Sequence, residues 1–414
     1  IHQHSLFFIL KIMTKNLLSI SSLLLGIAIL MLGNGPLPTY LAIKLTEGGI
    51  ATWLIGIVMS QYYIGFVIGP FFVQKLIESV GHIRSFVVFG STMSAITLFH
   101  IFITNFIIWG FFRFIIGICA IGMFMCVESW LNSRATNDNR GQVFSFYVIA
   151  VYLFSGIGQF ILQMPDEKGF MIFIFFSILM SLAIIPISLT KLPPPEIIKI
   201  KKFSLVKLWN KSPTGMTFAL MGGVVSGAFY SIGPVFAQLN NFDKNTTALF
   251  ISCVTIGGLI LQWPMGKLSD GKDRRKFMLG VAILLIIIST LLSILNSNIY
   301  FFLILAIIFG GLIALMYPLG VAYTNDYLKQ EELLSATSGL VIAYGIGAIV
   351  GPFLASLIIE FTSSYIELTV SLVSNIIFDM YFPECLESSV LISEYKIDLA
   401  TFFCNSPAIN WPTI

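Results

Sequence analysis

The chain has 414 residues, of which 57% are hydrophobic, 14% aromatic and only 10% charged, against roughly a quarter charged in a soluble domain. A mean hydropathy of +0.92 excludes an ordinary water-soluble globule, because one core does not grow large enough to hide so much apolar surface; lipid must be part of the solvent. With 23 Lys and Arg against 20 Asp and Glu there is no basic face for nucleic acid, and none is expected as a partner.

In chain order, residues 1–12 precede the first methionine, Met13, and no small-residue cleavage site follows them. They are expected to be an upstream, non-native segment outside the fold. Crossing the hydrocarbon core takes about 20 apolar residues as a helix, and in lipid each backbone group must find its partner within the segment. Such stretches predict helices near 17–40, 50–73, 85–104, 106–131, 140–163 and 169–190, then near 214–239, 246–266, 277–296, 299–323 and 335–359. Within the first, Asn34-Gly-Pro36-Leu-Pro38 reads as a helix break that frees backbone carbonyls. Between the two sets, Lys191 to Pro213 holds Pro193-Pro194-Pro195 and six lysines against one acid, Glu196. The expected organisation is an N-terminal six-helix half over 13–190, a basic cytoplasmic linker over 191–213, a C-terminal half over 214–360 carrying helices 7–11, and an atypical tail over 361–414.

The twelfth helix is poor. Tyr365 to Phe382 includes Glu367 and Asp379, each costing about 2.5–3.5 kcal/mol near a helix centre. From Glu360 onward seven acids face one base, Lys396, whereas the first 359 residues carry a net charge of +9. That break in composition is what a frameshift replacing the C-terminus would leave, and an inactive product of a degraded gene is one reading of the chain.

Orientation follows from the Lys and Arg of alternate loops, because cytoplasmic loops hold the excess. With the N-terminus inside, 18 basic residues fall in the inner segments and only Lys44, Lys168 and Lys244 in the outer ones. The sequence also repeats internally. Gln74-Lys-Leu76-Ile-Glu78 superposes on Gly266-Lys-Leu268-Ser-Asp270, and Gly158-Gln159 on Gly351-Pro352, as expected for a transporter built from two related halves.

Gly266-x-Leu268-x-Asp270-x-x-x-Arg274-Arg275 resembles the signature loop of the major facilitator superfamily, and Arg113-x-x-x-Gly117-x-x-x-x-Gly122 resembles its fourth-helix motif. Glu128-Ser-Trp130-Leu-Asn132, Arg140-Gly141, Gln262-Trp263-Pro264 and Tyr317-Pro318 are similar to the YcaD-like bacterial group within it. The likeness covers 13 to about 360, with Gln74 and Glu78 standing where the first-half loop usually has glycine and aspartate. The resemblance implies an all-α, polytopic bundle of two six-helix halves in the bacterial inner membrane. It also implies secondary transport of a small molecule by alternating access, with proton coupling left open.

Within that frame the polar residues divide by place. Asp270, with Arg274, Arg275, Gly266 and the first-half Glu78, forms a candidate gating loop: a carboxylate there can cap a helix N-terminus of the opposite half. The other reading is a plain orientation signal. Arg113 is the only Lys or Arg inside an apolar run of the eleven helices, so it is expected to face the bundle interior on a substrate or ion path, or to make a structural pair with a carbonyl or tyrosine. Glu128 is the candidate for a coupling proton, or an interfacial cap paired with Arg134 or Arg140. Gln61, Gln159, Tyr230 and Tyr344 lie at intermediate depth, where they can bond a substrate or another helix. Gly65-x-x-x-Gly69 and Gly347-x-x-x-Gly351 are packing faces, and Cys119, Cys126 and Cys253 packing residues.

No nucleophile elbow, phosphate-cradling loop or His-Glu metal motif is present in the sequence. No enzyme activity, cofactor or metal is expected, and the energy source is a gradient. The expected partners are a small-molecule substrate, protons if coupled, and the bilayer, with the chain a monomer. A non-transporting receptor or scaffold of the same fold is the rival class.

Overall fold

The computed structural model describes residues 20–135, 139–190, 195, 205–269, 273–295, 298–328 and 332–362. The expected upstream segment, most of the linker, Asp270 and the twelfth helix lie outside the described residues. Within them, eleven helices have the length and composition to cross a membrane. The first half comprises α1 (Ile20–Glu47), α2 (Thr52–Val80), α3 (His82–Phe102), α4 (Phe106–Arg134), α5 (Arg140–Gln163) and α6 (Met171–Ser188). The second comprises α7 (Pro213–Leu239), α8 (Lys244–Ser269), α9 (Arg274–Ile294), α10 (Ile299–Asn325) and α11 (Leu333–Thr362). A short helix, Leu205–Lys211, precedes α7 inside the stretch read as linker.

Helix starts are set by local chemistry. Asn105, Asp273 and Asn298 each accept backbone N–H bonds from the first turn of α4, α9 and α10, satisfying donors that would otherwise be orphaned at a helix end. In α1 the helix is interrupted by a turn at Gly35 and Pro36, where the sequence placed its break. Large apolar side chains remain on the outside, such as Phe71 at 67% exposed and Phe102 at 78%. In water these would be a liability, and in lipid they are the solvated face.

Helices approach most closely where glycine removes the side chain. A methyl group added at Gly65 of α2 would overlap the Phe114 carbonyl of α4, and one at Gly117 would overlap the Tyr62 carbonyl. In the second half Gly257 meets Ile307 and Gly310 meets Val254 in the same way, between α8 and α10. The crossing of α1 with α5, where Gly158 abuts Leu32, recurs between α7 and α11 as Gly351 against Val224. Each residue lies 192 or 193 positions from its counterpart. The offset first visible in the signature loops therefore repeats in the packing, carbonyl for carbonyl.

Gly310→Ala is expected to destabilise by about 1–3 kcal/mol through overpacking. Gly280→Ala on α9, where an added methyl meets nothing within 4 Å, is expected to be neutral or slightly stabilising. Thermal melts of the two detergent-solubilised variants check the contrast. Equal melts would show that the crossing has slack.

The halves meet along α11 against α2, α8 against α5, and α7 against α1. Several polar contacts among the described residues cross this seam toward the end that holds the α1–α2 and α7–α8 loops. There Lys244 Nζ lies 3.7 Å from Glu47 Oε1, the Thr52 N–H donates to Glu360 Oε2 at 2.9 Å, and Ser252 Oγ donates to the Gly156 carbonyl at 3.0 Å. Gly56 of α2 also packs against Ser356 and the Pro352 carbonyl of α11.

Candidate functional site

Between the halves lies a cavity of about 410 Å³, walled by α1, α2, α4 and α5 on one side and α7, α8 and α11 on the other. One polar corner of it is built by the first half alone, from Asn34, Tyr62, Arg113 and Gln159. Arg113 is 2% exposed, and its guanidinium carbon sits 4.5 Å from the centre of the Tyr62 ring. The motif explains the contact: Gly117, one turn along α4 from Arg113, lets α2 approach until the Tyr62 backbone touches it. The ring is thereby carried onto the cation.

That pairing is incomplete. Among the described residues no acid forms an ion pair with Arg113, and its Nε has no hydrogen-bond partner. Asn34 Oδ1 and Gln159 Oε1 are buried without partners in the same corner. The Gln159 Nε2 does have one, donating to the Gly35 carbonyl at 3.2 Å. That carbonyl belongs to the turn that interrupts α1. Buried unpaired polar groups cost about 1–3 kcal/mol each, so three in one corner need an explanation beyond packing.

The rest of the wall is aromatic and hydroxylic, with Tyr63, Phe66, Phe124, Tyr152, Tyr230, Tyr344, Ser226 and Thr255 facing the same space. Of the six substrate or coupling candidates, the structure gathers Arg113, Gln159, Tyr230 and Tyr344 around the cavity. Gln61 is not in the wall: its Cγ lies on the α4 side, beside Gly110. The cavity positions on α2 are its neighbours Tyr62 and Tyr63, which sequence reading missed. A signal was available, because a cation buried in lipid needs a partner at its own depth, and this aromatic pair sits there.

Glu128 is also absent from the wall. The Tyr147 hydroxyl of α5 donates to its Oε1 at 2.8 Å; among the described residues neither Arg134 nor Arg140 forms an ion pair with it, so the expected arginine cap is replaced by a tyrosine. In the gating group, Glu78 is exposed and takes a hydrogen bond from Gln74 at 3.1 Å, within α2. Gly266 has open space around it. Arg274 Nε lies 2.9 Å from Asp326 Oδ2 at the end of α10. The Arg275 N–H is held at 3.1 Å by Asp273 Oδ1, so Asp273 caps α9 within its own half.

A family model described as Major Facilitator Superfamily matches residues 18–270 and 216–384, continuing through the segment whose acids weaken a twelfth helix. A relative from Escherichia fergusonii, described as "Uncharacterized MFS-type transporter YcaD", is 24% identical over 357 residues, covering 86% of this chain and 92% of that one. Among solved structures, a variant of the nucleoside transporter NupG superposes with a TM-score of 0.74 at 12% identity, covering 88% of this chain and 98% of the other. A D-xylose-proton symporter gives 0.68 at 13% identity, with 90% and 97% covered. With the duplicated helix crossings and a family match spanning both halves, the chain belongs to the Major Facilitator Superfamily of membrane transporters.

Proposed function

We propose that the chain is a secondary transporter that moves a small molecule across the bacterial inner membrane by alternating access. The observation that carries this reading is a cavity walled by both halves, with three polar contacts among the described residues joining the halves at one end of it. The excess of basic residues in the loops of the opposite end favours that end as the cytoplasmic one. In this orientation the contacts close the periplasmic side, and the cavity serves the cytoplasm. Rocking the two halves about the central site would exchange the seal from one side to the other.

Topology is checked by labelling single cysteines placed in 74–84 and 266–276. Both stretches are expected to react from the cytoplasmic side, and labelling from opposite sides would overturn the duplicated arrangement.

For coupling, the reading assigns the proton to Glu128, which is held by the Tyr147 hydroxyl near the cytoplasmic end of α4. Glu128→Gln is expected to remove the dependence of accumulation on a pH gradient while leaving solute exchange intact, since a general proton carrier is lost but the cavity wall is not. The assay is uptake or efflux of candidate solutes in proteoliposomes with and without an imposed pH gradient. If no transported solute responds to the gradient in the unmodified protein, proton coupling is withdrawn.

A further inference from the structure

We infer that the cavity selects organic monoanions with a flat aromatic body, the anionic group seated on Arg113 and the body lying among the aromatic side chains that the two walls share, reaching Tyr230 and Tyr344 on the opposite one. The inference rests on the transport reading, since it takes this cavity to be the substrate site.

Three observations lead to it. Among the described residues, Arg113 is the one side chain in the cavity wall that carries a formal charge, and no acid forms an ion pair with it. A buried cation that rests against a tyrosine ring, with its Nε unpartnered and no acid paired to it among the described residues, is undercompensated in a low-dielectric site. One negative charge on a ligand neutralises it, whereas a second would be left unmatched, and a cationic ligand would be repelled.

The duplication supplies the second observation. The position equivalent to Arg113 in the second half is Ala306, buried at 0% exposure. The charge therefore stands on one wall only, so a ligand is held with its anionic group toward α4 and its body toward α7 and α11. Asn34 Oδ1 and Gln159 Oε1, unpartnered in the same corner, give a place to any N–H or O–H beside the charged group.

Third, the body of the site is aromatic. Tyr63, Phe66, Phe124, Tyr230 and Tyr344 face a space of about 410 Å³, within the ordinary range of small-molecule sites. Offset and edge contacts of ring on ring favour a planar apolar ligand over a polyhydroxylated one.

The probe is 2-naphthoate, with near-isosteric 2-naphthamide as the neutral arm and 2-naphthylmethylammonium as the cationic arm, each measured by equilibrium dialysis against the purified full chain. The unmodified protein is expected to bind the naphthoate roughly tenfold or more tightly than the amide, as a charge-assisted contact predicts, and the ammonium more weakly still. Arg113→Gln is expected to bring naphthoate and naphthamide within about twofold of one another, and Arg113→Lys to keep part of the preference. The ligand series on the unmodified protein stands even if a variant folds poorly. Equal affinity for acid and amide, no binding of any arm, or a preference that survives Arg113→Gln would each overturn the inference. A chain that switches accessibility but shows no anion preference loses this inference alone. One that prefers the anion but never switches loses the transport reading instead.

Discussion

A disulfide between Gly156→Cys and Ser252→Cys is expected to reduce transport by about a hundredfold or more, and dithiothreitol to restore it, because a covalent bond far outweighs the few kcal/mol that separate conformers. The two positions face each other across the seam, with Ser252 Oγ donating to the Gly156 carbonyl at 3.0 Å. A Cβ at position 156 would stand 3.6 Å from that hydroxyl oxygen, the atom that the sulfur of Ser252→Cys would replace, so the two side chains meet across the seam. The Ile256 Cγ1 atom, 2.8 Å from the new Cβ, must turn aside to admit it. Cys253 adjoins the site, so the pair belongs in a background whose five native cysteines are replaced by serine.

If the halves have to part at this end for the cavity to open on the other side of the membrane, the bond holds the protein in one state. Each single-cysteine variant treated with the same oxidant controls for modification. A fully cross-linked protein that transports at the unmodified rate would mean that the seam at α5 and α8 never opens, and alternating access about this cavity would fall.

Depth in the membrane was legible in the sequence, but direction around each helix was not. The stretch predicted as 299–323 is the helix Ile299–Asn325, because the length of an apolar run measures the bilayer directly. Where prediction fell short it did so at polar ends. α2 was expected to stop near 73 and continues to Val80, since Gln74, Lys75 and Glu78 leave the hydrocarbon without leaving the helix. A backbone needs only its hydrogen bonds to go on turning, and hydropathy reports where lipid ends.

Arg113 could be placed in the interior because its cost in lipid allows no other face. Gln61 had no such constraint. Adjacent residues on a helix point about 100° apart, so Gln61 and Tyr62 look the same in a hydropathy reading while one faces α4 and the other the cavity. Helices that are apolar all round lack the stripe that normally tells inside from outside. The signature loop has the same difficulty in another form. The motif draws attention to its own carboxylate and arginines, but an acid that pairs with Arg274 among the described residues is Asp326, more than fifty residues along the chain.

Arg113→Leu is expected to raise the thermal stability of the ligand-free protein while abolishing its discrimination between an anion and a neutral isostere. The side chain is 2% exposed, its Nε is unpartnered, and the Tyr62 ring returns only about 0.5–2 kcal/mol. Burying a charge costs several kcal/mol even after relaxation, and replacing such groups with apolar ones of similar volume stabilises other proteins by about 1–4 kcal/mol. The α2–α4 crossing survives the change, because it rests on Gly65 and Gly117 rather than on the guanidinium. Melts in detergent, without ligand, read the sign. A structural pin between the two helices would give the reverse, a loss of about 3–5 kcal/mol on removing a partner from a buried pair. A rise places Arg113 among residues that a protein keeps for function against its own stability; a fall makes the Tyr62 contact the purpose of the residue and removes the reason to look for an anion.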